Sequence, residues 1–399
     1  MVKDSGRPSL RGGHTKEHSN GFPRQFGRPL NMTTGPVEVS ERVLDAQRAS
    51  ISSPHVGDFW HLHDDTLKRL GRIVETSGTV LAFPGSIRSA LSVAIGNLAR
   101  PGTRVLAVSN GYWGTLIGEM FRECGAEVID LLLPPLVPVD PDIVEQKIRS
   151  CGRLDIVTIV HVETNTGVTN PVSDIGSIVA KAGGLYFVDT ACSAGSMPVR
   201  TDHWAIDIGV TGSHKCFGGL PGLGIVTLSE KAWRHMRALP PWPGYFNFDS
   251  LRQQTIERVK TPPYTQPAGL FAALNAAVTE IDEIGISNWF EIHRQAAQTF
   301  RTRIREMGLS MITDAETRSY QSQGYDSETV LAVAYSDGID DELFRQELRQ
   351  TYGILVIGNI GQWAGKSFRV GLMSSPQLEA RNFFGTLQAI ENTSRKLKS

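Results

Sequence analysis

The sequence predicts an α/β protein: a mostly parallel seven-stranded sheet with helices on both faces, followed by a smaller C-terminal α+β domain. Three observations lead to this prediction. First, short β-rich runs alternate with helical patterns between about residues 75 and 229, as is typical of parallel sheets covered by helices. Second, the pattern changes after residue 247 to a long helical stretch and then three further strands. Third, a length of 399 residues fits one large and one smaller domain.

Seven apolar runs in the first part are predicted strands, because they are short, rich in β-branched residues and bounded by turn residues. They lie at 79–83, 104–109, 126–133, 155–161, 185–189, 206–212 and 223–229. Helical spacing of apolar residues predicts helices between them, at 88–99, 113–124, 141–150 and 174–183. The second part has a helical stretch over 267–307, strands at 329–335, 353–357 and 366–372, and helices at 340–351 and 376–397.

Composition divides the chain into three segments. Residues 1–30 are rich in Gly, Pro, Arg and His and predict a flexible N-terminal arm. Residues 31–275 form the predicted large domain and residues 276–399 the predicted small one. The arm lacks the apolar run of a secretory signal, and the last three residues are not an SKL-type address, so we expect a cytoplasmic protein.

The charge balance and the cysteines exclude several classes of protein. Forty basic residues face 41 acidic ones, which argues against a dedicated nucleic-acid or membrane-surface binder. No apolar run approaches the roughly 20 residues of a membrane helix. The four cysteines form no CxxC pair, so neither a disulfide framework nor a cysteine-rich zinc site is expected. An enzyme of a reducing compartment remains as the prediction.

Two residues at the ends of predicted strands suggest a catalytic function. Lys215 lies in a Gly/Ser turn directly after a buried strand. Burying a lysine costs free energy, so its presence there suggests a function. It is either a lysine that reaches solvent from a turn or one that forms a Schiff base with an aldehyde cofactor. Asp189 ends another strand of the same sheet and could pair with a pyridinium nitrogen. Because ligands collect at the carboxyl ends of parallel strands, the pair favours the second interpretation.

These residues lie within motifs that resemble a known family. The sequence resembles the class V aminotransferases, which are fold-type I pyridoxal phosphate (PLP) enzymes, within the alanine–glyoxylate (serine–pyruvate) group and near the pyridoxamine–pyruvate and 2-aminoethylphosphonate aminotransferases. The resemblance covers roughly residues 30–390. Its motifs are TTGPVEVS (33–40), PGSIRSAL (84–91), NGYWG (110–114), HVETNTGVTNP (161–171), VDTACSAG (188–195), TGSHKCFGGLPG (211–222) and FRVGL (368–372).

The resemblance implies a role for each matched residue around the cofactor ring. Lys215 would hold PLP as an aldimine and move the proton between the substrate's Cα and the cofactor. Asp189 would pair with the pyridine nitrogen. Trp113 would stack on the ring, Ala191 would pack beneath it, and Thr164 would hydrogen-bond its oxygen.

The cofactor phosphate would lie at the start of the helix after PGSIR, a position where free backbone N–H groups bind anions. The implied residues are Ser86, the backbone N–H groups of Ile87 and Arg88, and His214. Arg88 could also bind an anionic group of the substrate, since relatives often have a small residue, Thr or His there.

The resemblance also implies a homodimer whose second subunit completes the phosphate site. The residues that would act across the interface are Arg258 and Thr261; relatives often have Tyr at position 258. Arg369 would bind the substrate's α-carboxylate through a bidentate fork, and Gly35 would lie near the same carboxylate.

Two alternatives remain open at the level of reaction. The same Lys215 and Asp189 could serve a PLP-dependent lyase, decarboxylase, aldolase or racemase, with His55, Trp60 and His61 among the residues that select the bond broken. A non-catalytic protein with this fold is disfavoured by the intact site residues. The segment 55–65 is rich in His and Asp, but its spacing fits no zinc pattern, so we expect a substrate loop or solvated turn and no metal.

Overall fold

The computed structural model describes residues 24–25, 28–49, 53, 57–244, 246–261, 264–314 and 325–398. Its strands are β1 (Arg24–Gln25), β2 (Arg28–Asn31), β3 (Thr79–Pro84), β4 (Arg104–Ser109), β5 (Glu127–Leu132), β6 (Ile156–Val160), β7 (Leu185–Asp189), β8 (Ile208–Gly212), β9 (Leu223–Leu228), β10 (Ser310–Met311), β11 (Val330–Ala334), β12 (Ile354–Leu355), β13 (Ile357–Gly358) and β14 (Ser367–Gly371).

Helices alternate with these strands. They are α1 (Glu41–Ala49), α2 (Gly57–Ile73), α3 (Ile87–Leu98), α4 (Tyr112–Glu123), α5 (Pro141–Cys151), α6 (Val172–Ala182), α7 (Glu230–Arg237), α8 (Phe248–Leu251), α9 (Ala268–Ile284), α10 (Ile286–Glu306), α11 (Asp341–Tyr352), α12 (Ser375–Leu378) and α13 (Ala380–Lys398). A π-helical turn, Arg252–Ile256, follows α8.

The largest sheet confirms the predicted α/β fold class. Its seven strands lie in the order β3-β9-β8-β7-β6-β4-β5. All neighbouring pairs from β8 to β5 are parallel, and β9 is antiparallel to both β8 and β3. The carboxyl ends of the parallel strands therefore meet at one edge, where ligands collect in such sheets.

The sheet separates two layers of the hydrophobic core. Successive side chains of a strand point to opposite faces, so that in β7 Tyr186 and Val188 pack in one cluster while Leu185 and Phe187 pack in the other. Helices cover both faces, which explains why β6, β7 and β8 are apolar along most of their length rather than alternating.

The C-terminal part contains two smaller sheets. Strands β10, β11, β14 and β13 form a four-stranded sheet, and β2 joins β1 and β12 in a three-stranded one. Leu30 and Met32, from the N-terminal part of the chain, pack into the core cluster of this region. The division of the chain at residues 275 and 276 stays a prediction.

Three segments differ from the sequence-based expectation or lie outside the described residues. Residues 57–65 of the segment 55–65 are not a loop, because they belong to α2, whose buried face includes Phe59, His63 and Leu70 at helical spacing; residues 55–56 lie outside the described residues. The stretch 267–307 is two helices, because Gly285 adopts a positive φ of 88° between them. Most of the predicted arm lies outside the described residues; of it, the structure describes 24–25 and 28–30, which lie in strands.

Within the described ranges, no helix combines the length and the apolarity that crossing a membrane requires.

Candidate active site

A cavity of about 340 Å³ lies at the carboxyl ends of the parallel strands. Its walls come from the large sheet, from the N-terminal turns of α3 and α4, from residues 34–36, and from the segment that runs from β13 to β14. All residues that the resemblance assigns to the cofactor or to the substrate's carboxylate line it except two, Arg258 and Thr261. The lining residues are Thr34, Gly35, Pro36, Ser86, Ile87, Arg88, Trp113, Val160, Val162, Thr164, Asp189, Ala191, Cys192, His214, Lys215, Ile357, Ile360 and Arg369.

Lys215 follows the end of β8 and extends its amine into the cavity. Its Nζ lies 3.0 Å from the Sγ of Cys192 and 3.5 Å from the Oγ1 of Thr164. The Thr164 hydroxyl lies 3.0 Å from the same sulfur. Within the described residues the amine therefore has only weak or neutral partners at hydrogen-bond distance and no carboxylate in direct contact. Such an amine can react with a carbonyl group or move a proton once it loses its own.

Asp189 ends β7 and is almost fully buried, with 4% of its surface exposed. One carboxylate oxygen, Oδ1, accepts a hydrogen bond of 2.8 Å from the backbone N–H of Ala191. Burial raises the pKa of Asp189 to about 6, although this hydrogen bond and the charge of Lys215 oppose the rise. A buried carboxylate of this kind gains stability from a cationic partner, such as a protonated ring nitrogen.

The first turn of α3 forms one end of the cavity. Ser86 is its N-cap: the Ser86 hydroxyl accepts from the backbone N–H of Ser89, and the Ser89 hydroxyl accepts from that of Ser86. Ile87 and Arg88 follow as the first helical residues, with no acidic residue in this turn. The exposed N-terminus of a helix attracts anions such as phosphate.

His214 adds a second polar group to the cavity lining. Its Nδ1 is buried and has no hydrogen-bond partner among the described residues. Burial, and secondarily the charge of Lys215, lowers its pKa to about 4, so the ring is neutral at pH 7. A buried polar atom without a partner is costly, which is consistent with a ligand that supplies the missing partner.

Trp113 and Ala191 supply flat and small surfaces to the cavity. Trp113 lies in the first turn of α4, and the guanidinium carbon of Arg88 lies 5.4 Å from its ring centroid. This distance is typical of a cation–π contact. Arg88 has no ion pair within the part of the chain that the structure describes, so its charge remains available.

Arg369 lines the cavity from β14 and is buried, with 4% of its surface exposed. Its Nη2 donates to the carbonyl of Gly358 at 2.8 Å and its Nη1 to that of Thr164 at 3.3 Å. Its Nε is buried and has no partner among the described residues. Burial lowers the pKa of Arg369. A buried guanidinium bound only by carbonyls is a site for a carboxylate.

Arg258 and Thr261 lie away from the cavity of their own chain. Arg258 forms an ion pair with Asp64, and its guanidinium lies 4.9 Å from the ring centroid of Trp60. Thr261 is exposed. These positions neither support nor oppose a role in the cavity of a second subunit.

Three features of the cavity were not predicted from the sequence. Cys192 contacts the amine of Lys215. The only sequence signal for this role is its position three residues after Asp189. Ile357 and Ile360, from the segment before β14, close the cavity with apolar surface. His55, proposed among the residues that select the reaction, lies outside the described residues, and Trp60 and His61 belong to α2.

The chain is similar to known proteins both in sequence and in structure. The family described as "Aminotransferase class-V" matches residues 72–367. An uncharacterized aminotransferase of Methanocaldococcus jannaschii is 32% identical, over 87% of this chain and 88% of its own. The L-aspartate–glyoxylate aminotransferase of Paracoccus denitrificans is 31% identical, over 86% and 85%. The structure of pyridoxamine–pyruvate aminotransferase from Mesorhizobium loti is similar with a TM-score of 0.87 and 25% identity, over 95% of both chains.

Proposed function

The chain belongs to the class-V aminotransferase family and is a PLP-dependent aminotransferase, and from this premise we propose the residues that carry the reaction. The reaction moves an amino group from a small amino donor to a small 2-oxo acid, pyruvate or glyoxylate. Glyoxylate and pyruvate appear in the names of the relatives from Paracoccus denitrificans and Mesorhizobium loti, respectively. One observation carries our proposal: a lysine amine, a buried carboxylate and a buried arginine line the same cavity.

The cavity residues fit the cofactor. Asp189 is a carboxylate whose pKa is raised by burial, and the protonated pyridine nitrogen of PLP would give it a cationic partner. The partnerless Nδ1 of His214 and the first turn of α3, with Ser86 and the N–H groups of Ile87 and Arg88, would hold the phosphate. Trp113 and Ala191 would contact the ring from its faces, and the Thr164 hydroxyl would bind its oxygen.

Bound PLP supplies a ring that withdraws electrons from the substrate's Cα and so stabilises negative charge there. Lys215 would have two tasks: its Nζ would hold the cofactor and, once free, would take the proton from the substrate's Cα and deliver a proton to the carbon on the other side of the transferred nitrogen. The ionised Asp189 would keep the ring nitrogen protonated. The Thr164 hydroxyl, 3.5 Å from Lys215 Nζ, orients the amine.

Arg369 would bind the α-carboxylate of the donor and of the oxo acid. Its Nε has no partner among the described residues, and its Nη groups contact only carbonyl oxygens, so a carboxylate would supply the missing negative charge. Fixing this carboxylate at Arg369 would orient the Cα proton toward Lys215. Gly35 would leave room for both groups.

We further propose a cytoplasmic homodimer. Arg258 and Thr261 lie outside their own chain's cavity, so they could complete a phosphate site only in a second copy. All four cysteines are free thiols, which is in keeping with a reducing compartment.

The visible absorbance of the purified protein tests the proposal. We expect a yellow band from bound PLP, which bleaches when an amino donor such as L-alanine or L-aspartate is added without an acceptor and returns when pyruvate or glyoxylate follows. The variant Lys215→Ala should not complete the cycle.

Two outcomes would argue against this function. Steady release of carbon dioxide or ammonia from the donor, without an acceptor, would support a lyase or decarboxylase at the same residues. A protein that stays colourless and takes up no added PLP would overturn the cofactor assignment.

A further inference from the structure

Glu163 is a fully buried carboxylate next to the candidate active site, but it does not line the cavity. It follows β6 and lies beside Thr164 in the chain. Its Oε1 accepts a hydrogen bond of 2.8 Å from the backbone N–H of Gly114, and its Oε2 accepts one of 3.3 Å from that of Trp113. Both donors lie in the first turn of α4, so Glu163 binds the N-terminus of this helix.

The helix offers no N-cap side chain of its own. Gly111 occupies the N-cap position and contributes no side-chain hydrogen bond. A Cβ at position 111 would lie only 2.4 Å from the Cδ of Glu163, so glycine is required for the carboxylate to approach. Unpaired N–H groups at a helix N-terminus are usually bound by the helix's own cap residue. Here a carboxylate from the turn after β6 takes that place.

The same turn also contacts Arg369, which lines the cavity. The backbone of Glu163 pairs with Val168, through a 3.0 Å hydrogen bond from its N–H, and its carbonyl accepts one of 2.8 Å from Gly167. The neighbouring carbonyl of Thr164 accepts from the Nη1 of Arg369. One rigid turn therefore contacts both the helix that carries Trp113 and the arginine on β14.

We propose that Glu163 is a positioning residue that holds Trp113, through the first turn of α4, at the stacking distance of the cofactor ring. The proposal rests on the proposed function, since it assigns Trp113 to that ring. Charge-assisted hydrogen bonds from backbone N–H groups are stronger than neutral ones, so the ionised carboxylate fixes this turn better than a neutral side chain of the same size.

The ionisation of Glu163 is set by several neighbours. Burial raises the pKa of Glu163 to about 7. The backbone N–H groups of Gly114 and Trp113 and the charge of Lys215 oppose this rise, whereas the charge of Asp189 adds to it. Protonation removes the charge that binds the turn. The hold on Trp113 should thus weaken as the pH falls through about 7.

The variant Glu163→Gln tests this role. The glutamine side chain offers one acceptor oxygen. Its NH₂ group would face a backbone N–H, and the two cannot form a hydrogen bond because both are donors. We expect the dissociation constant of PLP to rise about tenfold, as for the loss of one charge-assisted hydrogen bond. We also expect a weaker visible circular dichroism band of bound PLP and the loss of the pH dependence of that band near pH 7.

A double-mutant cycle with Trp113→Ala shows whether Glu163 acts through the tryptophan. In the Ala background, Glu163→Gln should change PLP affinity less than about threefold, because the stacking ring that it positions is absent. The matched control is Glu280→Gln, which alters a half-buried carboxylate that is bound to the hydroxyl of Ser40 and lies outside the cavity lining. It should leave the circular dichroism band unchanged.

Three results would separate the possibilities. If Glu163→Gln lowers only the melting temperature and leaves PLP affinity and circular dichroism unchanged, Glu163 is structural and the proposal is wrong. Additive effects of the two substitutions would show that it does not act through Trp113. If the wild-type protein binds PLP but no donor bleaches its band, the proposed function fails, while the PLP affinity and circular dichroism still test Glu163.

Discussion

Gly35 lies against the aliphatic part of the Lys215 side chain, so that a Cβ at position 35 would come within 3.0 Å of Lys215 Cγ and 3.1 Å of its Cε. The glycine also has a positive φ of 119°, which L side chains rarely adopt. The Gly35 backbone therefore forms a wall along which the lysine extends toward Cys192. The turn that contains Gly35 limits where the amine of Lys215 can go.

The first prediction concerns this wall. Gly35→Ala should displace the lysine and lower the rate of the donor half-reaction by at least about tenfold, since small misplacements of a reacting group are costly. Stopped-flow bleaching of the PLP band with L-alanine measures that rate. The matched control is Gly338→Ala, where φ is also positive, at 83°, but no atom lies within 4 Å of the added Cβ. An equal loss of rate in both variants would show that backbone strain, rather than the contact with Lys215, is responsible.

The sequence predicts most of the fold and the position of the site, for identifiable reasons. Lys215 and Asp189 follow strongly apolar strands, and parallel strands place their carboxyl ends at one edge, so their proximity could be deduced. Glu163 could not be assigned in this way. Its contact with Gly114 depends on the register of β4 and β6, in which Val105 lies opposite Ile156, and on the missing side chain of Gly111.

The errors also have physical causes. Segment 55–65 carries so many His and Asp residues that a turn was expected, yet Phe59, His63 and Leu70 lie on one face of α2 and pack against the core. His63 is buried and contacts Phe59 and Phe271 through its ring. Such a packed histidine cannot be told from a solvated one by composition alone.

The second prediction concerns Arg369. Arg369→Lys keeps the charge but loses the planar fork, so the donor's KM in the steady state should rise by about tenfold or more. PLP affinity should change much less, because Arg369 contacts the substrate rather than the cofactor. Initial rates over a range of L-alanine concentrations, with pyruvate or glyoxylate in excess, give the KM. An unchanged KM would mean that the α-carboxylate binds elsewhere.

The third prediction is a gain in stability from the loss of Asp189. The pKa of this carboxyl rises on folding from its ordinary 3.8 to about 6, so above pH 6 the folded protein holds the ionised carboxylate at a cost in stability. Asp189→Asn removes this cost, and the cofactor-free variant should be more stable than the cofactor-free wild type by up to about 3 kcal/mol at pH 8. The advantage should shrink as the pH falls from 6 to about 4, because the wild-type carboxyl becomes protonated in both states.

Urea unfolding of both cofactor-free proteins at several pH values measures this difference. Added PLP should reverse the order, since it stabilises the wild type more strongly by pairing with the ionised Asp189. A variant that is less stable than the wild type at pH 8 would show that Asp189 already has a stabilising partner in the cofactor-free protein.

The fourth prediction concerns the choice of donor. Arg88 has no ion pair within the described ranges and lies in a helix turn without an acidic residue, at the edge of a cavity that is otherwise largely apolar. If its guanidinium binds a second carboxylate of the donor, Arg88→Gln should reduce the preference for L-aspartate over L-asparagine by about tenfold, the usual effect of one charged hydrogen bond. The ratio of kcat/KM for the two donors measures this preference.

The control for this experiment is Arg381→Gln, which removes an exposed arginine outside the cavity lining and should leave the ratio unchanged. An equal loss with both donors, together with weaker PLP binding, would instead assign the Arg88 side chain to the cofactor phosphate.

The fifth prediction tests whether one active site uses two chains. The double variant Arg258→Ala/Thr261→Ala keeps its own Lys215, and Lys215→Ala keeps Arg258 and Thr261, so each homodimer should be inactive or severely impaired. A hybrid of the two, co-expressed with different affinity tags, contains one site with every residue intact and should have about half of the wild-type activity, because the two sites of a symmetric dimer are equivalent.

The matched control is a hybrid of Lys215→Ala and Asp189→Asn: both residues line the cavity of the same chain, so neither of its sites is intact. Activity in the first hybrid and none in the second would assign Arg258 and Thr261 to the partner's site, and inactivity of both hybrids would confine the two residues to their own chain.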